Sequence, residues 1–277
     1  MAPAPGMNPD MPSDPIMSGT IRVLWGIVIL SILFAAMIFV LPLDLYRSAG
    51  HLFEAIVAVF CMACCVYAYC TIANRIILLL GAFAFFGYAI STLFWYFYSV
   101  SLGRTFVYTT VAELSFFCFF LFFIAAISIE FPRREMPVAV SAFLLVLFLS
   151  IPLIIISGDV IRQPLRLALI LVRFFIIEQL IDVAIRHGVY FYPLLWAGIC
   201  LRCIGAMVYG IRETVFLNSP FILFPATSVT PPVSVYDFLS IVGPINICSF
   251  ALIQIGLFSY VMNEVGKEHA WSGSVRS

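Results

Sequence analysis

Charge is what this sequence most lacks. Of its 277 residues, 14 are Lys or Arg and 14 are Asp or Glu, 10% in all. A soluble domain carries about 25%. The formal charges cancel, thirteen arginines stand beside a single lysine (Lys267), and no basic run occurs. That excludes the electrostatic footprint of nucleic-acid binding. Histidine is nearly as scarce: His51, His187 and His269 are the whole set, too few for a histidine-rich diiron cluster and a poor basis for haem ligation. A retinal Schiff base needs a buried lysine, and Lys267 lies beyond the last apolar run. No phosphate-binding loop and no G-x-S-x-G elbow is present, and no nucleophile–base spacing supports an intramembrane hydrolase. No catalytic residue, cofactor or metal is therefore expected.

What fills the space is apolar. The chain is 64% hydrophobic with a mean hydropathy of +1.13. No water-soluble globule hides that much apolar surface, so lipid is the expected solvent. Runs of about 20 apolar residues, the length that crosses a ~30 Å hydrocarbon core, fall at Ile21–Leu43, His51–Ile72, Ile76–Tyr98, Phe106–Ile129, Pro137–Ser157, Pro164–Ile185, Val189–Ile211 and Tyr236–Asn263. The expected fold is all-α: a polytopic membrane protein of eight transmembrane helices in two tandem four-helix units. The units take 20–135 and 136–265, with a Pro-, Met- and Ser-rich disordered tail over 1–19 and a cytoplasmic tail over 266–277. The N-terminal tail lacks the basic region of a signal peptide. The Arg212–Val235 loop, with its four prolines and apolar patches, reads as a re-entrant or surface-lying lid. Short-loop arginines count seven basic residues to five in favour of both termini facing the cytoplasm of a cell membrane.

The eight cysteines all fall inside apolar segments. None occupies a loop where a disulfide would staple an extracellular fold. Cys61/Cys64 and Cys200/Cys203 have C-x-x-C spacing, but each pair spans one helical turn without the loop residues of a zinc knuckle, so close helix packing is the expected role.

The two expected units share a pattern: a span with a central glycine (Gly87, Gly205) and an aromatic end, then a loop, an acid (Glu113, Asp237) and an apolar span. The segments Val235-Tyr236-Asp237-Phe238-Leu239 with Gly243-Pro244, Ala112-Glu113-Leu114-Ser115-Phe116-Phe117 and His51-Leu52-Phe53-Glu54-Ala55 resemble the multi-span N-terminal sensor regions of prokaryotic histidine kinases and cyclic-di-GMP signalling enzymes. The resemblance implies a sensor-like membrane module. Members of that group continue into a kinase or cyclase domain, which this chain does not contain.

Two constellations carry chemistry. Arg173, Glu178 and Arg202 fall deep in expected spans, where an ionised side chain costs roughly 2.5–3.5 kcal/mol and is normally paired, turned inward or functional. Arg202 is expected to meet Glu178 across helices, leaving Arg173 to Asn246, Gln254 or an anionic ligand. The set is either a structural ion-pair network or a ligand site. The second constellation is His51, Glu54, Glu113 and Asp237 near the outer ends of their spans, either a cation or proton site or a set of helix caps and interfacial salt bridges. The leading expectation is a sensor that binds a small anionic or lipophilic ligand within the helices and signals to a soluble partner. A small permease and a membrane-embedded lipid-modifying enzyme are the alternatives.

Overall fold

The computed structural model describes residues 15–101, 109–130, 193–215, 221–227 and 232–274. The expected spans at 137–157 and 164–185, and with them Arg173 and Glu178, lie outside the described residues, as does the side chain of Glu113.

Almost everything described is helical. Helix α1 runs Pro15–Ala36 and tightens into a 3-10 turn at Met37–Phe39. Helices α2 (Leu43–Thr71), α3 (Ile76–Ser101) and α4 (Thr109–Glu130) follow. After the undescribed stretch come α5 (Pro193–Val215), strands β1 (Ile222–Phe224) and β2 (Val233–Ser234), the single-turn helix α6 (Val235–Phe238), a 3-10 turn at Leu239–Ile241, and α7 (Val242–Ser274). Proline marks helix starts, where its missing N–H is no loss. Pro15 and Pro193 open α1 and α5, Pro42 precedes α2, and Pro244 lies in the first turn of α7.

Among the described residues, four stretches are long and apolar enough to cross a membrane: Ser18–Phe39, Leu43–Thr71, Ile76–Phe97 and Val235–Val265. The chain is thus a helical membrane protein. The eight-span, tandem arrangement gains no such support. At the expected fourth and seventh spans the described apolar stretches are Cys118–Glu130 in α4 and Pro193–Tyr209 in α5. Among the described residues, α7 lies against α1 and α2 as well as α5, while α2 packs on α3 and α3 on α4.

Helix α7 is the centre of this bundle. Its span is the most enclosed of the four, with 78% of its most apolar window buried against 22% for α1. The outward face of α1, including Ile29, Ile32 and Leu33, is exposed, as suits a helix whose neighbour is acyl chain. Around Phe250 of α7 gather Phe85 and Tyr88 of α3 and Phe119 of α4, with ring centroids 4.4–5.7 Å away. Most meet edge-on, the arrangement that ring quadrupoles favour.

Where α5 crosses α7, glycines bring backbones into contact. A Cβ on Gly198 would lie 2.6 Å from the Ile253 nitrogen, and one on Gly256 would lie 2.4 Å from Leu195 Cα. Small residues permit this approach, and in lipid it is close packing rather than water exclusion that joins helices.

Candidate functional site

Polar side chains in the bundle collect at three levels, and each is built by more than one helix. The middle level is a chain of four residues. Arg202 of α5 donates from Nη1 to Asn246 Oδ1 of α7 at 2.9 Å. Asn246 Nδ2 donates to the Tyr88 hydroxyl of α3 at 3.0 Å, and that hydroxyl donates to Glu54 Oε2 of α2 at 2.6 Å. All four side chains are buried, Glu54 at 3% and Arg202 at 4% relative exposure. A cation and an acid on different helices are therefore joined through two neutral groups. The short Tyr88–Glu54 contact has the length of a charge-assisted O–H···O bond.

Arg202 also lies 4.9 to 5.8 Å from the ring centroids of Tyr88, Phe120, Phe119 and Phe250. The ring faces carry partial negative charge, which offsets part of the cost of burying a guanidinium. Its Nε has no partner. Two glycines make room for the network: a Cβ on Gly205 would meet Asn246 Oδ1 at 2.7 Å, and one on Gly243 would meet Glu54 Oε1 at 3.1 Å.

The second level lies where α2 begins, α5 ends and α6 leads into α7. Arg47 Nη2 pairs with Asp237 Oδ1 at 2.6 Å, and its Nε donates to Ser240 Oγ at 3.2 Å. Arg212 Nη1 donates to the same Ser240 oxygen at 3.2 Å. Both guanidinium carbons lie over the Tyr236 ring, at 5.3 and 5.1 Å from its centroid. Ser234 caps α6 by accepting the Asp237 backbone N–H, and its hydroxyl donates to Asp237 Oδ2 at 2.7 Å. Just beneath, His51 stacks beside Trp95, and its buried Nδ1 has no partner. The third level is at the other end: Tyr260 of α7 donates to Glu130 of α4, with Arg75, just before α3, 3.8 Å from the same oxygen.

Of the residues singled out from the sequence, the structure brings Arg202 and Asn246 together and completes their network with Glu54. Gln254 is fully buried one level further along α7, where Cys65 Sγ donates to its Oε1 at 3.1 Å and its Nε2 has no partner. Glu54 and Asp237 are held apart by different partners, Tyr88 and Arg47. Among the described residues no group of three His, Cys, Asp or Glu side chains is arranged to hold a metal ion. All eight cysteines are free thiols, and Cys61 faces the Phe250 carbonyl at 3.8 Å.

Tyr88, Arg47, Arg212 and Ser240 carry much of this geometry without having drawn notice as site residues. Tyr88 had a readable signal: it shares a helical face with Ser91 and Thr92, giving three hydroxyls within one turn in the apolar middle of α3, all fully buried. Arg47 read from the sequence only as a loop charge, and Arg212 only as a candidate interfacial salt-bridge partner of the outer acids. Comparison with protein-family models, with curated proteins and with solved structures finds no match for this chain.

Proposed function

We propose that the chain is an integral-membrane, sensor-like module whose response element is the buried Glu54–Tyr88–Asn246–Arg202 network. The observation that carries this reading is the shared helix α2. It supplies Arg47 to the membrane-facing cluster and Glu54 to the interior network, seven positions apart, so that two turns of one rigid element separate the two levels. A ligand that draws on the arginines at the face turns or shifts α2, and the interior bonds to Tyr88 re-form or break with it. A satisfied polar network in low dielectric has few intermediate arrangements, which suits a two-state element better than a graded one. The enclosure of Arg202 by aromatic rings favours such an element over an open solute path.

In this reading the ligand is small and anionic or lipophilic, and the output passes to a soluble partner protein. The apolar runs at 137–157 and 164–185, added to α1–α5 and the α6–α7 span, complete eight crossings, with both termini on the cytoplasmic side of a cell membrane as the arginine distribution favours. Trp95, stacked beside His51 with centroids 6.3 Å apart, provides a probe. The test is tryptophan fluorescence of the full chain in nanodiscs during a screen of small organic anions and lipophiles, with Trp95→Phe as the blank. Flux of each hit is then measured in proteoliposomes. A sensor gives a saturable Trp95 signal that Glu54→Gln alters, with no flux. Saturable flux of the same compound would replace this reading with a permease.

A further inference from the structure

We infer that the membrane-facing cluster of Arg47, Arg212, Tyr236 and Ser240 is a binding site for the phosphate of an anionic phospholipid, with the lipid's acyl chains lying along the β1 ribbon. This inference uses the same arginines from which the sensor reading takes its signal, but it stands on the geometry of the outer level, and lipid retention tests it apart from any response of α2 or the interior network.

Three observations converge. First, the cluster is at headgroup level. Arg47 is the fifth residue of α2, Arg212 lies in the last turn of α5, and Tyr236 and Ser240 lie at the start of the final span, so all four stand at helix ends on one side of the bundle. Second, its chemistry is that of an anion site. Two guanidinium groups from different helices converge on one hydroxyl oxygen, with Asp237 the carboxylate that Arg47 meets. The Arg47 and Asp237 side chains remain 23% and 22% exposed, so the pair is open to a further partner. His51 lies below, within electrostatic reach of both arginines and with a buried ring nitrogen lacking a partner. Paired guanidinium forks match the oxygen spacing of a phosphate diester.

Third, the surface beside the cluster is apolar and open. Phe221, Ile222, Leu223 and Phe224 are four consecutive apolar residues, between 38% and 70% exposed. The ribbon is tied to the cluster through aromatic contacts: Phe224 lies 5.7 Å from Phe238, the residue after Asp237, and 5.3 Å from Phe39 at the end of the first span. A strand with every side chain exposed and apolar is unstable against water, and stable against acyl chains at the boundary of headgroup and hydrocarbon. Arginines and ribbon together select a molecule with a phosphate at one end and a hydrocarbon at the other. Net charge selects further. A choline headgroup would bring its own ammonium to two guanidiniums, whereas a glycerol headgroup brings none.

The test uses the delipidated full chain in dodecyl maltoside, titrated with mixed micelles of phosphatidylglycerol, with phosphatidylcholine, or with inorganic phosphate. Retained lipid is read by native mass spectrometry and stability by thermal unfolding. Phosphatidylglycerol should be retained and should raise the unfolding temperature, while the other two do neither. Retention should weaken by about tenfold or more in Arg212→Gln and Arg47→Gln, the scale of one lost charge-assisted bond, and should be unchanged in Arg75→Gln at the opposite end. Leu223→Ser, on the exposed ribbon, cannot disturb the core and should also weaken retention; it serves if an arginine variant fails to fold. Equal retention of phosphatidylcholine, equal stabilisation by inorganic phosphate, or full retention in both Arg212→Gln and Leu223→Ser would each overturn the proposal.

Discussion

Replacing Gly256 with alanine is the sharpest probe of the helix crossing on which the interior network depends. The added methyl would lie 2.3 Å from the Leu195 nitrogen, 2.4 Å from its Cα and 2.5 Å from its Cβ. Ordinary carbon contact begins at about 3.5 Å, so α5 and α7 must part locally by roughly 1 Å. No rotamer change relieves the clash, since two of the three atoms are backbone. Overpacking typically costs about 1–3 kcal/mol, and a backbone obstruction places this variant at the upper end. With roughly 2–4 °C of unfolding temperature per kcal/mol for chains of comparable size, ~3 kcal/mol corresponds to a loss of about 6–12 °C in thermal unfolding in detergent. Leu195→Ala should give no rescue, because it leaves the Leu195 nitrogen and Cα in place. Gly26→Ala provides the contrast: nothing lies within 4 Å of its Cβ position, and the usual preference of helices for alanine by about 1 kcal/mol should leave it neutral or slightly stabilised. If Gly256→Ala unfolds within a degree of the parent, the two helices do not cross as described, and the Arg202–Asn246 bond loses its geometric basis.

Other outcomes follow from the same geometry. Tyr88→Phe deletes the hydroxyl between Glu54 and Asn246 while keeping the ring, and should cost about 1–3 kcal/mol in denaturation measurements, the penalty of stranding buried polar groups. Arg202→Met and Glu54→Gln should each destabilise, yet the double variant should fall short of their sum by roughly 0.5–3 kcal/mol in a double-mutant cycle, since each removes the same network. Strict additivity would show that the two ends of the chain do not communicate. Arg47→Gln should cost less than about 1 kcal/mol of stability, because the Arg47–Asp237 pair is partly exposed and screened by solvent. Ser234→Ala removes the cap of α6 and should cost about 1 kcal/mol, read as faster hydrogen exchange at the Asp237 amide.

How much of this was legible in the sequence varies with the kind of interaction. The membrane class follows from composition alone, and the start of α3 at Ile76 coincides with an apolar run. The start of α2 does not. The apolar run begins at His51, yet the helix begins at Leu43, because its first turns carry Asp44 and Arg47, and Arg47 finds Asp237 across the bundle. Hydropathy sees the charge and not its partner. Arg202 and Asn246 stand out as polar residues in apolar company, but their association depends on the crossing of α5 and α7, set by Gly198, Gly205 and Gly256, and a glycine in an apolar span does not say which helix it meets. Glu54 and Asp237 share an acidic character that invited a common site. Tertiary packing gives one a tyrosine and the other an arginine.

The position of α7 at the centre of the bundle has a consequence for how the protein is made. Helix α7 is translated after every other described helix, yet α1, α2 and α5 all pack against it. Neighbours such as α2 and α3 can associate as a hairpin while synthesis continues. Until α7 arrives, Arg202 has no Asn246, Cys61 has no Phe250 carbonyl, and α1 lacks its main contact. The nascent chain therefore carries Glu54 and Arg202 before the asparagine that later joins Arg202 to the Tyr88 hydroxyl. Truncations before Val242 should leave inserted helices that are present but unassembled.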